Sequence, residues 1–198
     1  MTNAGSRSDA GKQVLEAVLP TDEVLMARLC AGHLDAGGIL FERYRDRIYN
    51  FFLRLTADRP LSEDLTQSVF ERVLRYRASY REGMPFRAWI FQIARHVRAD
   101  QLKKRPPLAD APELALGLLE DPSTPSLSLE RKEDIHRMLR ALGTLPETQR
   151  ELLVLTRFQQ LKYREVGQML NLSEGAVKVR VFRALRALRE AFDKQPGL

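Results

Sequence analysis

Apolar side chains recur at intervals of three and four almost without interruption between residues 22 and 192. A helix of 3.6 residues per turn lines such residues up as one buried stripe. No segment shows the strict alternation of a half-buried strand, so an all-α fold is expected. The clearest stripe runs from about Asp35 to Leu55 and contains Leu40, Phe41, Tyr44, Ile48, Phe51, Phe52 and Leu55. A short helix is predicted from Asp22, with Val24, Leu25, Leu29 and Cys30 on one side and Thr21 or Asp22 as its cap. A third spans about Leu61 to Tyr76 on Leu65, Val69, Val73 and Tyr76, with Phe70 and Leu74 beside that stripe. A fourth runs from about Pro85 to Lys104 and buries Phe86, Trp89, Ile90, Ile93, Ala94 and Val97. Pro85 suits its first turn, and Arg105-Pro-Pro ends it.

Residues 106–125 hold five prolines and no apolar period, the composition of a flexible linker. Helical spacing resumes near Leu127 with Leu129, Ile135, Met138, Leu139 and Leu142, and Gly143 is expected to stop it. Pro146 opens a further helix that buries Leu152, Leu153, Leu155 and Phe158. The organisation is therefore two small helical domains, 21–105 and 127–194, joined by a linker at 106–126. Residues 1–20 lack periodicity and read as a disordered extension. No stretch approaches the ~20 apolar residues of a membrane span, and Met1–Gln13 has no apolar signal core, so neither membrane insertion nor secretion is expected. One cysteine excludes an internal disulfide, and a reducing cytoplasm suits it.

Charge divides unevenly along the chain. Residues 1–40 carry net −2, 41–107 net +7, 108–134 net −5 and 135–198 net +6. Two basic blocks flanking an acidic connector fit two polyanion-binding modules on a tether. They fit two solvated helical surfaces equally well, and composition alone leaves both readings open.

The end of the chain is more specific. Tyr163 to Leu170 and Ser173 to Phe192 read as two helices meeting at a tight turn, a helix-turn-helix. Val166, Leu170, Leu172 and Val177 pack the pair, and Gly167 permits a close crossing. Asn171 tolerates a left-handed turn position. Ser173 caps the second helix, and Glu174 suits the positive end of its dipole. At 100° per residue, Val177, Val181, Ala184, Leu185, Leu188 and Phe192 fall on one side of that helix. Gly175, Ala176, Val179, Phe182, Arg183 and Arg186 fall on the other, flanked by Lys178 and Arg180. Small residues, an outward Phe and arginines suit a DNA major groove, where Arg binds guanine bidentately and apolar groups meet thymine methyls. Lys178 and Arg180 are placed to hold phosphates. The plainer alternative is an amphipathic helix that closes a bundle.

The run LPETQRELLVLTRFQQLKYREVGQMLNLSEGAVKVRVFRALRALRE resembles the promoter-binding domain 4 of the extracytoplasmic-function (ECF) group of bacterial sigma factors. The N-terminal half carries two further resemblances in the family's order. SEDLTQSVFERV, at 62–73, is similar to the segment of sigma domain 2 that grips RNA polymerase. FRAWIFQIARHVRAD, at 86–100, is similar to its minus-10-reading segment. Together the resemblance covers about residues 22–192. It departs from the family at Ala176-Val-Lys-Val-Arg180, where Thr-Val-Lys-Ser-Arg is commoner, and at Lys162, Asn171 and His96, where Ser, Gly and Asn are usual.

The resemblance implies that Asp64, Leu65, Gln67 and Phe70 contact core polymerase. Glu63, Asp64, Gln67 and Glu71 do share a polar side opposite the apolar stripe. Single-stranded minus-10 DNA needs a positive groove, planar side chains and a pocket for a splayed base. Tyr80, Arg81, Met84, Phe86, Arg87, Arg95 and His96 are the candidates, with Arg98, Lys103 and Lys104 farther along the same helix. Gly175, Ala176, Lys178, Val179, Arg180, Phe182, Arg183 and Arg186 are the candidates for duplex minus-35 DNA. The implied partners are core RNA polymerase, promoter DNA and a restraining anti-sigma protein. Cys30-Ala-Gly-His33 has the spacing of a metal pair but lacks two further ligands, so a buried thiol and a surface histidine are expected there. No phosphate loop, nucleophile motif or carboxylate constellation stands out, and no catalytic residue, metal or cofactor is assigned. Two other classes remain: a dimeric helix-turn-helix regulator with a sensor domain, and a small all-α enzyme, for which no site is apparent.

Overall fold

In a computed structural model, residues 20–104 and 129–195 are described. The expected N-terminal extension and the proline-rich linker lie outside these residues. Every regular element among them is helical: α1 (Asp22–Cys30), α2 (Leu34–Thr56), α3 (Arg59–Tyr76), α4 (Phe86–Lys104), α5 (Leu129–Thr144), α6 (Glu147–Leu153), α7 (Tyr163–Leu170) and α8 (Glu174–Asp193). Side-chain acceptors set three of the starts. Thr21 Oγ1 accepts from the Val24 amide at 3.3 Å, Asp58 Oδ1 from Leu61 at 2.9 Å, and Ser173 Oγ from Ala176 at 3.1 Å. Each satisfies an amide that has no partner within its own helix. The Asp58 cap starts α3 at Arg59, before the expected Leu61, and Pro60 sits harmlessly in its first turn. Gly143 does not stop α5, which runs on to Thr144.

Helices α1 to α4 enclose one core. Its largest fully buried side chains include Tyr44, Phe51, Phe52, Phe86, Phe91 and Met26. Tyr44 meets Phe86 edge-on at 5.1 Å, and Phe51 meets Phe91 at 5.4 Å, geometries that suit aromatic quadrupoles. The Tyr44 hydroxyl donates to Asp22 Oδ2 at 2.5 Å, and Arg43 pairs with Asp22 Oδ1 at 2.8 Å. Burial, then the Asp22 carboxylate, push the Tyr44 phenol well above the ordinary tyrosine range, so it remains a donor. Several stripe assignments change, and Tyr76 and Met138 are among the residues left exposed. Val24 is exposed and Met26 is buried in its place, while Phe41 stays on the surface. Cys30 is exposed rather than buried, and its thiol donates to the Arg77 carbonyl at 3.1 Å.

Helices α5 to α8 form the second unit. A single π turn, Val154–Phe158, follows α6. Asn171 adopts φ 53°, the left-handed conformation the turn between α7 and α8 requires. A Cβ on Gly167 would sit 2.6 Å from the Leu172 carbonyl oxygen, because the Leu172 amide already donates to the Gly167 carbonyl at 2.8 Å. The start of α7 is half capped. Glu165 Oε2 accepts from the Lys162 amide at 2.7 Å, but an ammonium has no lone pair with which to return the bond.

The two units share one continuous apolar core rather than standing apart. Arg150 on α6 reaches the Leu55 carbonyl at the end of α2 at 3.3 Å. Arg54 lies 4.6 Å from the centre of the Phe158 ring, which is half-buried rather than fully enclosed as its spacing implied. Gln159 Nε2 donates to the Arg47 carbonyl at 3.4 Å.

Two glycines in helix interiors should respond oppositely to alanine. Gly167→Ala is expected to cost about 1–3 kcal/mol, because the methyl meets fixed backbone. Gly38→Ala has nothing within 4 Å of its new Cβ and should stabilise by about 0.4–1 kcal/mol through the unfolded chain. Urea denaturation of the two variants beside the parent measures both signs.

Candidate nucleic-acid and protein interfaces

Helix α8 divides as its wheel requires. Val177, Val181, Ala184 and Leu188 are buried, with Leu185 and Phe192 half-buried beside them. Gly175, Lys178, Val179, Arg180, Phe182, Arg183 and Arg186 are exposed, and Ala176 is half-buried. Phe182 is 68% exposed and Val179 50%. Packing among the described residues accounts for neither. Arg186 pairs with Glu190 one turn along at 3.2 Å, an exposed contact worth about 0–1 kcal/mol and readily exchanged for a phosphate. An open concavity of about 400 Å³ marks the turn itself, lined by Arg164, Gln168, Asn171, Ser173 and Glu174 with Gly167 and Leu172.

The second site lies where α3 passes through a short 3-10 turn, Arg77–Ser79, into the loop before α4. A cavity of about 280 Å³ opens there between Tyr76, Ser79, Arg81, Met84, Trp89, Gln92, Ile93 and His96. Trp89, Met84 and Ile93 give it an apolar wall, and Ser79, Arg81, Gln92 and His96 a polar rim. The loop is held in place from three sides. The Tyr80 hydroxyl donates to the Met84 carbonyl, and its ring meets Trp89 edge-on at 5.3 Å. Burial first, then the Glu23 carboxylate, push the Tyr80 phenol up to about 12, so it is a protonated donor at neutral pH. Glu23 Oε1 accepts from the Phe86 amide at 3.1 Å, tying α1 to the start of α4. Gly83 turns the loop at φ 82°.

Not every minus-10 candidate faces this cavity. Arg81 and His96 are exposed, Met84 is half-buried on the wall, and Tyr80 is half-buried behind it. Phe86 has 0% exposure. Its ring is core, between Tyr44 and Trp89, and cannot stack on a base. Arg87 is half-buried, and its cation opposes the rise in the Tyr44 phenol's proton affinity. Arg95 is engaged elsewhere, pairing with Glu151 at 3.0 Å and donating to the Met169 carbonyl at 2.8 Å. Arg98 is buried against Glu147 at 2.8 Å. Sequence reasoning missed Tyr76, Ser79 and Gln92 as lining residues. The spacing of Trp89, Gln92, Ile93 and His96 on one face of α4 is the signal that could have found Gln92.

A third surface lies on α3. Asp64 and Gln67 are exposed beside Glu63 and Glu71. Leu65, a candidate contact, is only 5% exposed; it belongs to the core because its stripe faces α2 and α4. Phe70 is half-buried and meets Phe41 of α2 edge-on at 4.7 Å. Phe41 and Leu74 extend this surface as exposed apolar residues, 37% and 44% accessible. Phe41 was assigned to the core by its spacing, so its place beside the candidate contacts is new. Behind this face, Arg72 holds Asp100 of α4 at 2.9 Å, and that bond keeps the Asp100 carboxyl below the ordinary range.

Both units match known families. The Sigma-70 region 2 model matches residues 40–106 and the Sigma-70, region 4 model residues 135–188. RNA polymerase sigma factor CarQ of Myxococcus xanthus is 31% identical over 168 residues, covering 83% of this chain and 94% of its own. ECF RNA polymerase sigma factor ShbA of Streptomyces griseus is 40% identical over 144 residues, covering 69% and 74%. The fold is shared with the sigma factor RpoE of Bartonella quintana, solved in complex with the anti-sigma factor NepR. That likeness has a TM-score of 0.62 at 22% identity, over 80% of this chain and 98% of the other. The chain belongs to the extracytoplasmic-function family of RNA polymerase sigma factors.

Proposed function

We propose that the chain joins core RNA polymerase and directs it to promoters, reading duplex minus-35 DNA with α8 and capturing melted minus-10 DNA at the α3–α4 cavity. The observation that carries this reading is the outward face of α8. Val179 and Phe182 are exposed between Arg180, Arg183 and Arg186 on a helix whose opposite face is buried. An apolar strip flanked by arginines costs solvation on a free surface and is matched by thymine methyls and guanine edges in a major groove. The α3–α4 cavity complements it. An apolar wall containing Trp89 beside donors and acceptors on Ser79, Gln92 and His96 can enclose one unstacked base.

Asp64 and Gln67, with Phe70, Phe41 and Leu74 beside them, supply directional polar groups next to an apolar anchor, the composition of a protein interface. We assign this face to core polymerase. Restraint by an anti-sigma protein is part of the same proposal, supported by the RpoE fold being solved with such a partner. In this reading the chain supplies promoter recognition and melting, while bond formation belongs to the polymerase. Run-off transcription with purified core polymerase on a genomic promoter library tests the reading directly. Promoter-specific initiation is the expected result, and its absence across the library overturns it.

Four variants separate the surfaces. Asp64→Ala combined with Gln67→Ala should weaken binding to core polymerase at least about ten-fold, or roughly 1.4 kcal/mol. Both side chains are exposed, so helix content and melting should be unchanged; titration of labelled protein with core, beside circular dichroism, reads both. Arg183→Ala should cost about 1–3 kcal/mol on the preferred minus-35 sequence and relax preference at one base pair. Lys178→Ala should weaken all sequences alike and flatten the salt dependence, because fewer counterions are released. Binding to every single-base variant of the element at two salt concentrations distinguishes the two; uniform weakening by Arg183→Ala would make Arg183 a phosphate anchor. Trp89, the only tryptophan of the chain, reports on the cavity. Single-stranded minus-10 DNA should change its emission, and His96→Ala should reduce the affinity of that change by about 1–3 kcal/mol.

A further inference from the structure

The turn between α7 and α8 encloses a concavity that the outward face of α8 does not use. Arg164, Gln168 and Asn171 follow one another at intervals of four and three, so one face of α7 and its C-cap form a wall of donors. Ser173 and Glu174 at the start of α8 form the opposite wall, and the space between them is about 400 Å³ and open to solvent. All five side chains are exposed. Arg164 makes no ion pair among the described residues, although exposed arginines elsewhere do: Arg28 with Asp35 at 2.7 Å, Arg186 with Glu190 at 3.2 Å.

Further cations gather at the same end of α7. Lys162 occupies the cap position, where Ser, Thr, Asp or Asn would accept from a first-turn amide. Its exposed ammonium cannot accept, so the residue costs helix stability and places a positive charge two positions before Arg164. Arg157 adds a guanidinium, donating to the Tyr163 hydroxyl at 3.2 Å. Ser173 Oγ spends a lone pair on the Ala176 amide at 3.1 Å, which leaves its O–H free to donate outward.

Charge and position define the ligand. A guanidinium beside neutral donors is the recognition set of a phosphate. Glu174 is the one carboxylate in the lining, and it opposes a small mobile anion. A phosphodiester held by contacts next door is accepted nonetheless, and the outward face of α8 begins immediately beyond, at Gly175 and Lys178. A Cβ on Gly175 would have nothing within 4 Å, so a nucleic-acid strand leaving the groove can pass close over the turn.

We propose that the α7–α8 concavity seats one phosphodiester of the duplex flanking the minus-35 element, with Arg164 as its charged partner, Gln168, Asn171 and Ser173 as neutral donors, and Lys162 on the neighbouring phosphate. The site rests on the reading of α8 as the duplex reader. It fixes the register of α8 in the groove without itself reading sequence, adding to Lys178 and Arg180.

The test uses the full chain and a duplex that the parent selects from a randomised pool. Arg164→Gln should weaken binding at least about five-fold, alike across single-base variants, and reduce the slope of log affinity against log salt by about 0.9. Arg164→Lys should retain the slope. Lys162→Ser should reduce the slope similarly while raising the melting temperature, since serine restores the cap. Methylphosphonate linkages, which remove one phosphate charge at a time, locate the contact. The parent should lose affinity at one flanking linkage to which Arg164→Gln is indifferent. Inorganic phosphate in place of chloride at equal ionic strength should leave parent binding unchanged. Arg164→Gln binding with the affinity and slope of the parent overturns the site, as do methylphosphonate effects that are the same in parent and variant at every linkage. Competition by inorganic phosphate overturns the assignment to duplex backbone. If the parent enriches no sequence from the pool, the reading of α8 fails instead, and the salt slope on the unselected duplex still decides the role of Arg164.

Discussion

Arg150 is the cation on which the relation between the two units turns. Its guanidinium is half-buried and donates to three carbonyls, Leu55 at 3.3 Å, Gly143 at 2.6 Å and Leu145 at 3.1 Å. Two of these lie in the last turns of α2 and α5, where carbonyls lack helical partners and the helix dipole is negative. Burial lowers the proton affinity of Arg150, and the nearby Arg98 cation lowers it further, with Glu147 opposing. A charge in that position is tolerated because three carbonyls accept from it; removing such a partnered, partly buried group costs about 3–5 kcal/mol when its partners are stranded. With α2 and α6 held in this way, Arg54 can cover Phe158, and Arg95 and Arg98 of α4 can pair with Glu151 and Glu147 of α6.

This seam is assembled from residue types that usually mark solvent. Arg54, Arg95, Arg98, Arg150, Glu147 and Glu151 supply side-chain contacts to it. Long guanidinium side chains suit such a role, since their stems pack while their planar heads make several bonds at once. The same properties suit them to nucleic acid.

The recognition surfaces obey different rules. The outward face of α8 is legible in the wheel alone because one helix supplies both the buried stripe and the exposed one. The face of α3 is less so. Phe41 and Leu65 both fall on apolar stripes, yet Leu65 is core and Phe41 is surface. Which edge of a stripe remains uncovered depends on how α2 and α3 cross, a matter of packing rather than spacing. Phe86 illustrates the reverse error. It heads the segment that resembles the minus-10 reader, but its ring completes the aromatic core with Tyr44 and Trp89.

Local physics made much of this protein readable from its residues alone. Helix starts follow from Thr21 and Ser173 as caps, the turn into α8 from Asn171 and Gly167, and the two faces of α8 from its period. All are interactions between residues at most a few positions apart, so the sequence determines them directly. The family was legible too, because its motifs are contiguous. The tertiary structure alone decided that the two units dock, that Arg95 and Arg98 face carboxylates, and that Tyr76 and Ser79 join Gln92 around one cavity. The Arg95–Glu151 pair joins residues 56 positions apart, and the Arg150–Leu55 bond joins residues 95 apart. A charged side chain carries the same local pattern whether it faces water, a phosphate or a glutamate, and only the folded arrangement of α4 against α6 selects among them.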